Sequence, residues 1–444
     1  AALAAARKGA RTCLLEKEYA LGGLATLGLI VIYLPLCDGA GTLMSGGIAE
    51  ELLKCSLRYG PGDIPDVWTK ENASVEERAT KRYRVQYNAA SFMIAAEELL
   101  LSEGVNIFYD SRITDVMCKD NRISSVLLET KFGKRLVNGR SFIDATGDAD
   151  LCWLAGEETV NDSTNRRTGW YFSYDGNDLK LNTLSDPLYK AIPADSRLYS
   201  GISIEDISQH CIDGRKMILN HLQKMKEEGN PSIYPLIIPT FPGFRMTRRL
   251  AGSFEFSEDK HERCWFSDAI GMIGNWKRSG PRYSIPYRAI KASKNTNLFA
   301  VGRCCCADKS GWDLTRVIPT CAVTGEAAGV AAAILSENEE QPKIQELQET
   351  LVKNGVLLNP ELFTKQIAIK KSFSYDEAED LCSDIISGLY PSLLSAKEIY
   401  NMDGYIWRIC EHIYSKYVSS KRKHQGVSID GMEIPFEDDY SIKE

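Results

Sequence analysis

One segment constrains this chain more than any other: Arg316-Val317-Ile318-Pro319-Thr320, which runs straight into CAVTGEAAGVAAAIL. Proline is pre-organised for the first turn of a helix and disruptive further in, so the spacing predicts a long helix over Pro319 to Leu335. The backbone donors of such a first turn have no partners within the helix and can point at a ligand. Behind the opening, Gly325, Ala328, Gly329 and Ala332 share one helical face. That face lets the helix approach its neighbours closely. An ordinary core helix explains the alanines but leaves the opening unexplained.

The rest of the chain alternates helix and strand around this segment. Ala1 to Lys8 read as the last turns of an alanine-rich helix closed by Gly9, and Arg11 to Leu15 as a short strand ending in Glu16. The pattern is the second half of a βαβ unit, and its first strand and phosphate-binding glycine loop are expected upstream of Ala1. Ala89 to Ser102 reads as a helix closing at Gly104, and Val105 to Tyr109 as a buried strand. Ile113–Cys118, Ile123–Glu129 and Lys134–Val137, separated by Asp120-Asn121 and Phe132-Gly133, read as a β-meander. Phe142 to Gly147 and Asn297 to Gly302 each read as a buried strand ending at glycine.

Between about Glu157 and Pro281 the alternation stops, which marks a second, substrate-facing domain. The expected architecture is an α/β fold: a Rossmann-like domain with a central parallel sheet and the meander, an inserted α+β domain, and a helical C-terminal extension. The expected boundaries are 1–56, 88–156 and 285–336 for the Rossmann-like domain, 57–87 and 157–284 for the insert, and 337–444 for the extension. From Lys421 onward the chain reads as a loosely held tail.

Composition narrows the partners. A chain of 444 residues with 44% hydrophobic and 25% charged content has enough material for two or three packed units. A net charge of −7 argues against nucleic acid, whose affinity comes from phosphate neutralisation by Lys and Arg, and favours a small uncharged or cationic substrate. The longest apolar stretch, Gly28 to Cys37, contains Pro35 and falls short of the ~20 residues of a membrane span. The 13 cysteines show no zinc or iron–sulfur spacing, so no metal is expected, and a reducing, cytoplasmic location is. The opening AALAAARKGA has neither the basic region nor the cleavage site of a targeting signal.

Several residues suit the handling of a nucleotide. Glu16, at the carboxyl end of its strand, is placed to accept ribose hydroxyl hydrogens, and Gly22-Gly23 let the backbone approach a flat ligand. The alternatives are a solvated carboxylate and a plain tight turn. Cys304-Cys305-Cys306 invite a redox reading, but adjacent cysteines rarely close an unstrained disulfide, so buried small hydrophobes are expected. Arg245, Arg248 and Arg249, with Tyr283 and Tyr287 further on, can clamp a carboxylate and move a proton; structural salt bridges compete for two of the three arginines.

Taken in order, EKEYALGGLAT, CDG at Cys37–Gly39, SGGIAEELL, FIDATGDAD, RMTRRLAG, YSIPYRAI, NLFAVGR and RVIPTCAVTGEAAGVAAA resemble the bacterial FAD-dependent oxidoreductases whose flavin domain is similar to the one in heterodisulfide reductase. The resemblance covers about Ala1 to Leu358. It implies a glutathione-reductase-like FAD fold with Glu16, Lys17, Gly22, Gly23, Leu24, Ala25 and Thr26 against the cofactor. Ile113 would lie beside the adenine, and Ala145, Thr146 and Gly147 against the adenosine and phosphate half. Gly302 and Arg303 would run past the ribityl chain and pyrophosphate, with Arg303 offsetting phosphate charge. Arg316, Val317, Ile318 and Thr320 would bring the helix opening to the flavin's N1 and C2 carbonyl. Arg249, Arg245 and Tyr287 are the expected catalytic residues.

The resemblance further implies hydride transfer from a small organic substrate to the flavin and on to an unidentified electron acceptor. An electron-transfer component working with an iron–sulfur partner, as in heterodisulfide reductase, is the alternative, and a homo-oligomer is left open. Related sequences carry a histidine shortly before the YxIPYR block, whereas Asn275-Trp276-Lys277-Arg278 stands here, so no general base is assigned.

Overall fold

The computed structural model describes residues 1–166, 169–184 and 197–358, with isolated positions between 387 and 416. The tail expected from Lys421 lies outside the described residues. Short apolar strands form the parallel half of the molecule: Cys13–Leu15 pairs with Asn106–Phe108, and Phe142–Asp144 with Leu298–Ala300. Among the described residues the two pairs are not hydrogen-bonded to each other. They meet through side chains, because Leu15 packs on the cluster that contains Leu298, Ala300 and Cys304.

The helix Ala89–Ser102 starts where expected because the Asn88 side chain accepts the Ser91 N–H at 3.0 Å, satisfying one donor that the first turn leaves open. The meander is present as Arg112–Lys119, Arg122–Thr130 and Gly133–Asn138, all antiparallel. Asp120 and Asn121 are both left-handed, which gives the tight turn a twist matching that of its strands.

The proline-opened helix spans Ile318–Asn338, and every residue from Ala322 to Leu335 is buried. Its small face permits a very close crossing: a Cβ on Gly329 would stand 2.3 Å from the Ala1 carbonyl oxygen and 2.8 Å from the Ala4 Cβ. By length and apolar character this helix can cross a membrane, but 89% of its apolar window is buried within the protein. Its apolar surface is already covered by its own fold.

Inside this helix sits a carboxylate. Glu326, 1% exposed, accepts the N–H of Ile48 through Oε2 at 2.8 Å. Ile48 opens the helix Ile48–Ser56, whose cap residue Gly47 has no side chain to do this. Burial pushes the Glu326 carboxyl up to about 7, although the Ile48 N–H favours the ionised form.

The insert has its own small core. Trp170–Tyr174, Leu179–Thr183 and Tyr234–Ile237 form a three-stranded sheet, covered by Ile204–Glu227, and Tyr171, Ile218, Leu222 and Ile233 pack between them. Two segments near the expected boundaries pack on the main core, as do Trp170, Phe172 and Leu181 of the insert. The hairpin Ala269–Gly274 with Arg282–Pro286 packs on the long helix, where a Cβ on Gly271 would lie 2.3 Å from Val323, so the 284/285 boundary cuts through a core strand. Tyr83, Val85 and Tyr87, assigned to the insert, belong to the main core. In the strand Arg282–Pro286 both faces are buried, so no alternation marks it as half-exposed.

Because the folded Glu326 carboxyl titrates near 7 and the unfolded one near 4.5, its neutral form is the stabilising one. Its contribution is complete below pH 4.5 and is lost as pH rises through 7. Denaturant midpoints measured across this range should therefore fall with pH, and Glu326→Gln should remove that part of the slope. An unchanged slope in the variant would show that Glu326 is ionised in the fold.

Candidate cofactor site

The turn after Phe142–Asp144 is organised by Asp144, which is fully buried. Its carboxylate accepts the Thr146 N–H at 3.0 Å and hydroxyl at 2.7 Å, and the Cys152 N–H at 2.8 Å. Gly147 follows at φ +80°, where a Cβ would stand 2.6 Å from an Arg303 nitrogen. Arg303 thereby closes over the turn: it donates to the Gly147 carbonyl, to the Phe244 carbonyl at 2.5 Å and to Asp148 at 2.8 Å. All three guanidinium nitrogens are given to protein oxygens, so Arg303 holds the turn in place. Three of its five N–H donors are used in this way.

The same acids take the basic block. Arg248 pairs with Asp150 at 2.6 Å and donates to the Asp148 carbonyl at 3.0 Å, while Arg249 pairs with Glu255 at 2.6 Å. Two of the three arginines are thus ion-paired, and Arg249 also lies over the Trp312 ring at 5.7 Å. Arg245 donates its backbone N–H to Asn165 at 3.0 Å. Tyr287 is anchored by its hydroxyl, which donates at 2.6 Å to Gln341, just past the end of the long helix, and its ring lies 6.1 Å from that of Phe299. Burial pushes its phenol far up, which suits a core anchor and not a proton carrier.

At the strand Cys13–Leu15, Glu16 accepts the Glu18 N–H at 2.9 Å, and burial raises its carboxyl against the pull of that bond. Lys17 lies over Phe241 at 5.4 Å and acts electrostatically on Asp150. Gly22 and Gly23 are both left-handed and open the short turn Gly23–Ala25; a Cβ on Gly23 would meet nothing within 4 Å. Leu24 closes against Gly28, Thr26 donates its hydroxyl to the Leu21 carbonyl, and Tyr87 donates to the Ala25 carbonyl at 2.8 Å. Ile113 packs with Leu15 on the sheet core.

Gly302 meets the opening of the long helix directly. Its N–H donates to Thr324 at 3.0 Å, and a Cβ there would stand 2.8 Å from the Cys321 sulfur. Val317 caps that helix without a side-chain bond, and the Ile318 and Thr320 N–H groups have no partner among the described residues. Arg316, just before it, pairs with Asp313, and its Nε is buried without a partner among the described residues. The structure thus joins 145–147, 302–303 and 316–324 in one neighbourhood. Tyr33 and Tyr87, both buried, extend it from Cys321 to the Gly22–Thr26 loop.

The sequence match decides the family: the model for FAD dependent oxidoreductase covers residues 1–170 and 159–351. The chain belongs to that family. It is an FAD-dependent oxidoreductase, and FAD is its cofactor. A comparison with curated proteins finds no match. Among solved structures, a geranylgeranyl bacteriochlorophyll reductase-like protein from Thermoplasma acidophilum is 13% identical, with coverage of 95% of both chains and a TM-score of 0.37. A flavoprotein/dehydrogenase from Cytophaga hutchinsonii is 14% identical, with 94% and 96% coverage and a TM-score of 0.38. An aromatic hydroxylase from angucycline biosynthesis is 13% identical, with 92% and 73% coverage and a TM-score of 0.36. Likenesses this distant decide nothing about the reaction.

The residues of this oxidoreductase fit the flavin end of FAD. Free first-turn donors beside a buried guanidinium with an orphaned nitrogen match an electron-rich heterocycle edge that gains negative charge on reduction. A cavity lies elsewhere, along Gly47, Glu50, Glu51, Lys54, Cys55 and Arg58. It is an open groove walled by paired charges.

Cys304, Cys305 and Cys306 are at most 1% exposed, and burial pushes all three thiols up. Cys304 accepts the N–H groups of Gly147 and Ala149 at 3.1 and 3.3 Å, and Cys306 that of Gly252 at 3.0 Å. In the native protein a disulfide reagent should spare these three and react with exposed Cys13 and Cys118. Reagent consumption by the native protein should drop in Cys13→Ser/Cys118→Ser and be untouched by Cys305→Ser; a drop in the latter would place the triplet at a solvent-open site.

Proposed function

We propose that this FAD-dependent oxidoreductase oxidises a small organic substrate by hydride transfer to the flavin. The observation that carries the reading is the uncapped first turn at Val317–Thr320, with Arg316 beside it. Bound FAD supplies the two-electron chemistry. Around it, the chain orients and stabilises. The Ile318 and Thr320 N–H groups and the helix dipole favour the charge that reduction creates. Glu16, already desolvated, is placed to take ribose hydroxyls, and the turn at Ala145–Gly147, held rigid by Asp144 and Arg303, keeps side chains away from the nucleotide.

The net charge of −7 favours an uncharged or cationic substrate. Proton transfer is not assigned to a histidine. His221 bonds to Tyr171 at 2.9 Å in the insert's own core, and His261 accepts the Ser257 N–H at 3.0 Å while stacked on Phe254. The eleven described cysteines are all free thiols, which favours a reducing compartment and a cytoplasmic enzyme. The electron acceptor is a further small molecule or protein.

The test is anaerobic. The protein purified with FAD is mixed with sugars, hydroxy acids and amines, and the flavin absorbance is followed. Bleaching by one class, reversed by an added electron acceptor, is the expected result. Reduction by an iron–sulfur protein with no response to any small molecule would replace hydride transfer with the electron-transfer role.

A further inference from the structure

Asn275-Trp276-Lys277-Arg278, where the sequence offered no catalytic group, is the hinge of a charged relay that ends at the long helix's first turn. Asn275 is fully buried and shapes it, accepting the N–H groups of Lys277 and Arg278 at 2.8 and 3.1 Å and donating to Glu258 at 2.7 Å. Glu258, 6% exposed, takes the Lys277 ammonium at 2.8 Å. Lys277 reaches on to Asp313 at 3.1 Å, and Asp313 pairs with Arg316. The Trp276 indole donates to the Asp313 carbonyl at 3.1 Å, which fixes the register between the two segments.

We infer that Glu258, Lys277 and Asp313 are positioning residues that set the effective charge of Arg316, and through it the potential at which bound flavin accepts electrons. This rests on the FAD reading above. Asp313 is shared by two cations, so it neutralises Arg316 only in part. Burial opposes its ionisation, yet Arg316 and Lys277 outweigh burial and hold its carboxyl below the usual range. The Arg316 side chain is 11% exposed, so the charge it carries is weakly screened. Removing Lys277 leaves Asp313 to Arg316 alone and cancels the local positive charge. Removing the Asp313 charge leaves Arg316 uncompensated.

The two changes therefore have opposite signs, which a merely structural role would not produce. In the FAD-loaded full chain, equilibrated anaerobically with a redox dye of known potential, Lys277→Met should shift the flavin's oxidised-to-reduced ratio toward oxidised by roughly tenfold. Asp313→Asn should shift it toward reduced, and Lys277→Arg should restore the native ratio. Shifts of the same sign, or none, at native FAD content would overturn the relay. If Asp313→Asn fails to fold, the Lys277→Met and Lys277→Arg pair decides: equal ratios in the two sink the inference. Wild-type protein that binds no FAD defeats the cofactor reading instead, so the two failures are distinguishable.

Discussion

The burial of a helix with almost no side chains of its own is the constraint on which the molecule rests. Ile318–Asn338 can sit at the centre only because Gly325 and Gly329 admit Ala1 and the Ala4 side chain, at the start of the Ala2–Arg7 helix, at contact distance. It gains little transfer energy per residue from alanine, so its stability comes from many close dispersion contacts. Such contacts fall off steeply with distance, and the helix has one well-packed position. That position delivers its first turn to the end of the Leu298–Ala300 strand, where Thr324 takes the Gly302 N–H and locks the two together. A flexible helix end could offer donors too, but it would have to be ordered again on binding, at an entropic cost that this packing has already met.

Charge is arranged around that end by mutual capture. The acids Asp148 and Asp150 would repel an anionic ligand if left bare, and Arg303 and Arg248 would bind anions indiscriminately. Paired, they become a scaffold that holds the Gly147 turn. The buried pair of Asp38 with Arg282, at 2.7 Å, does the same further on, tying the loop after Cys37 to the hairpin. Burying such a pair brings little net stability, but breaking it strands a charge, so these contacts select one arrangement over others. Arg316 is the exception, because one of its nitrogens is left without a protein partner among the described residues.

Local structure was legible from the sequence wherever backbone rules decide it. Asn88 and Gly104 bracket a helix, Asp120-Asn121 turn a hairpin and Pro319 opens a first turn; each follows from dihedral preference or orphaned donors within a few residues. Pairings between distant side chains follow no such rule. Nothing near Arg303 in the sequence says that the fold brings Asp148 within 2.8 Å of it. Nothing in the local sequence marks Gln341 as the partner of the Tyr287 hydroxyl. Glu258 and Asp313 had no signal at all, since a carboxylate that will be buried against Lys277 looks like any other. Of the basic block, Arg248 finds its acid in FIDATGDAD, at Asp150, and Arg249 finds its own nearby, at Glu255.

The three adjacent cysteines bear on how electrons pass through the site. A thiol exchanges with a flavin or a disulfide as the thiolate, and burial suppresses that form here although Arg303 and Arg249 favour it. Cys304 instead serves as an acceptor for two backbone N–H groups of the Gly147 turn, a task that needs a lone pair and no ionisation. Its replacement by a larger apolar residue would leave those donors unpaired inside the core, while serine would shorten the reach of the acceptor. Sulfur at this position is thus explained by packing and hydrogen bonding.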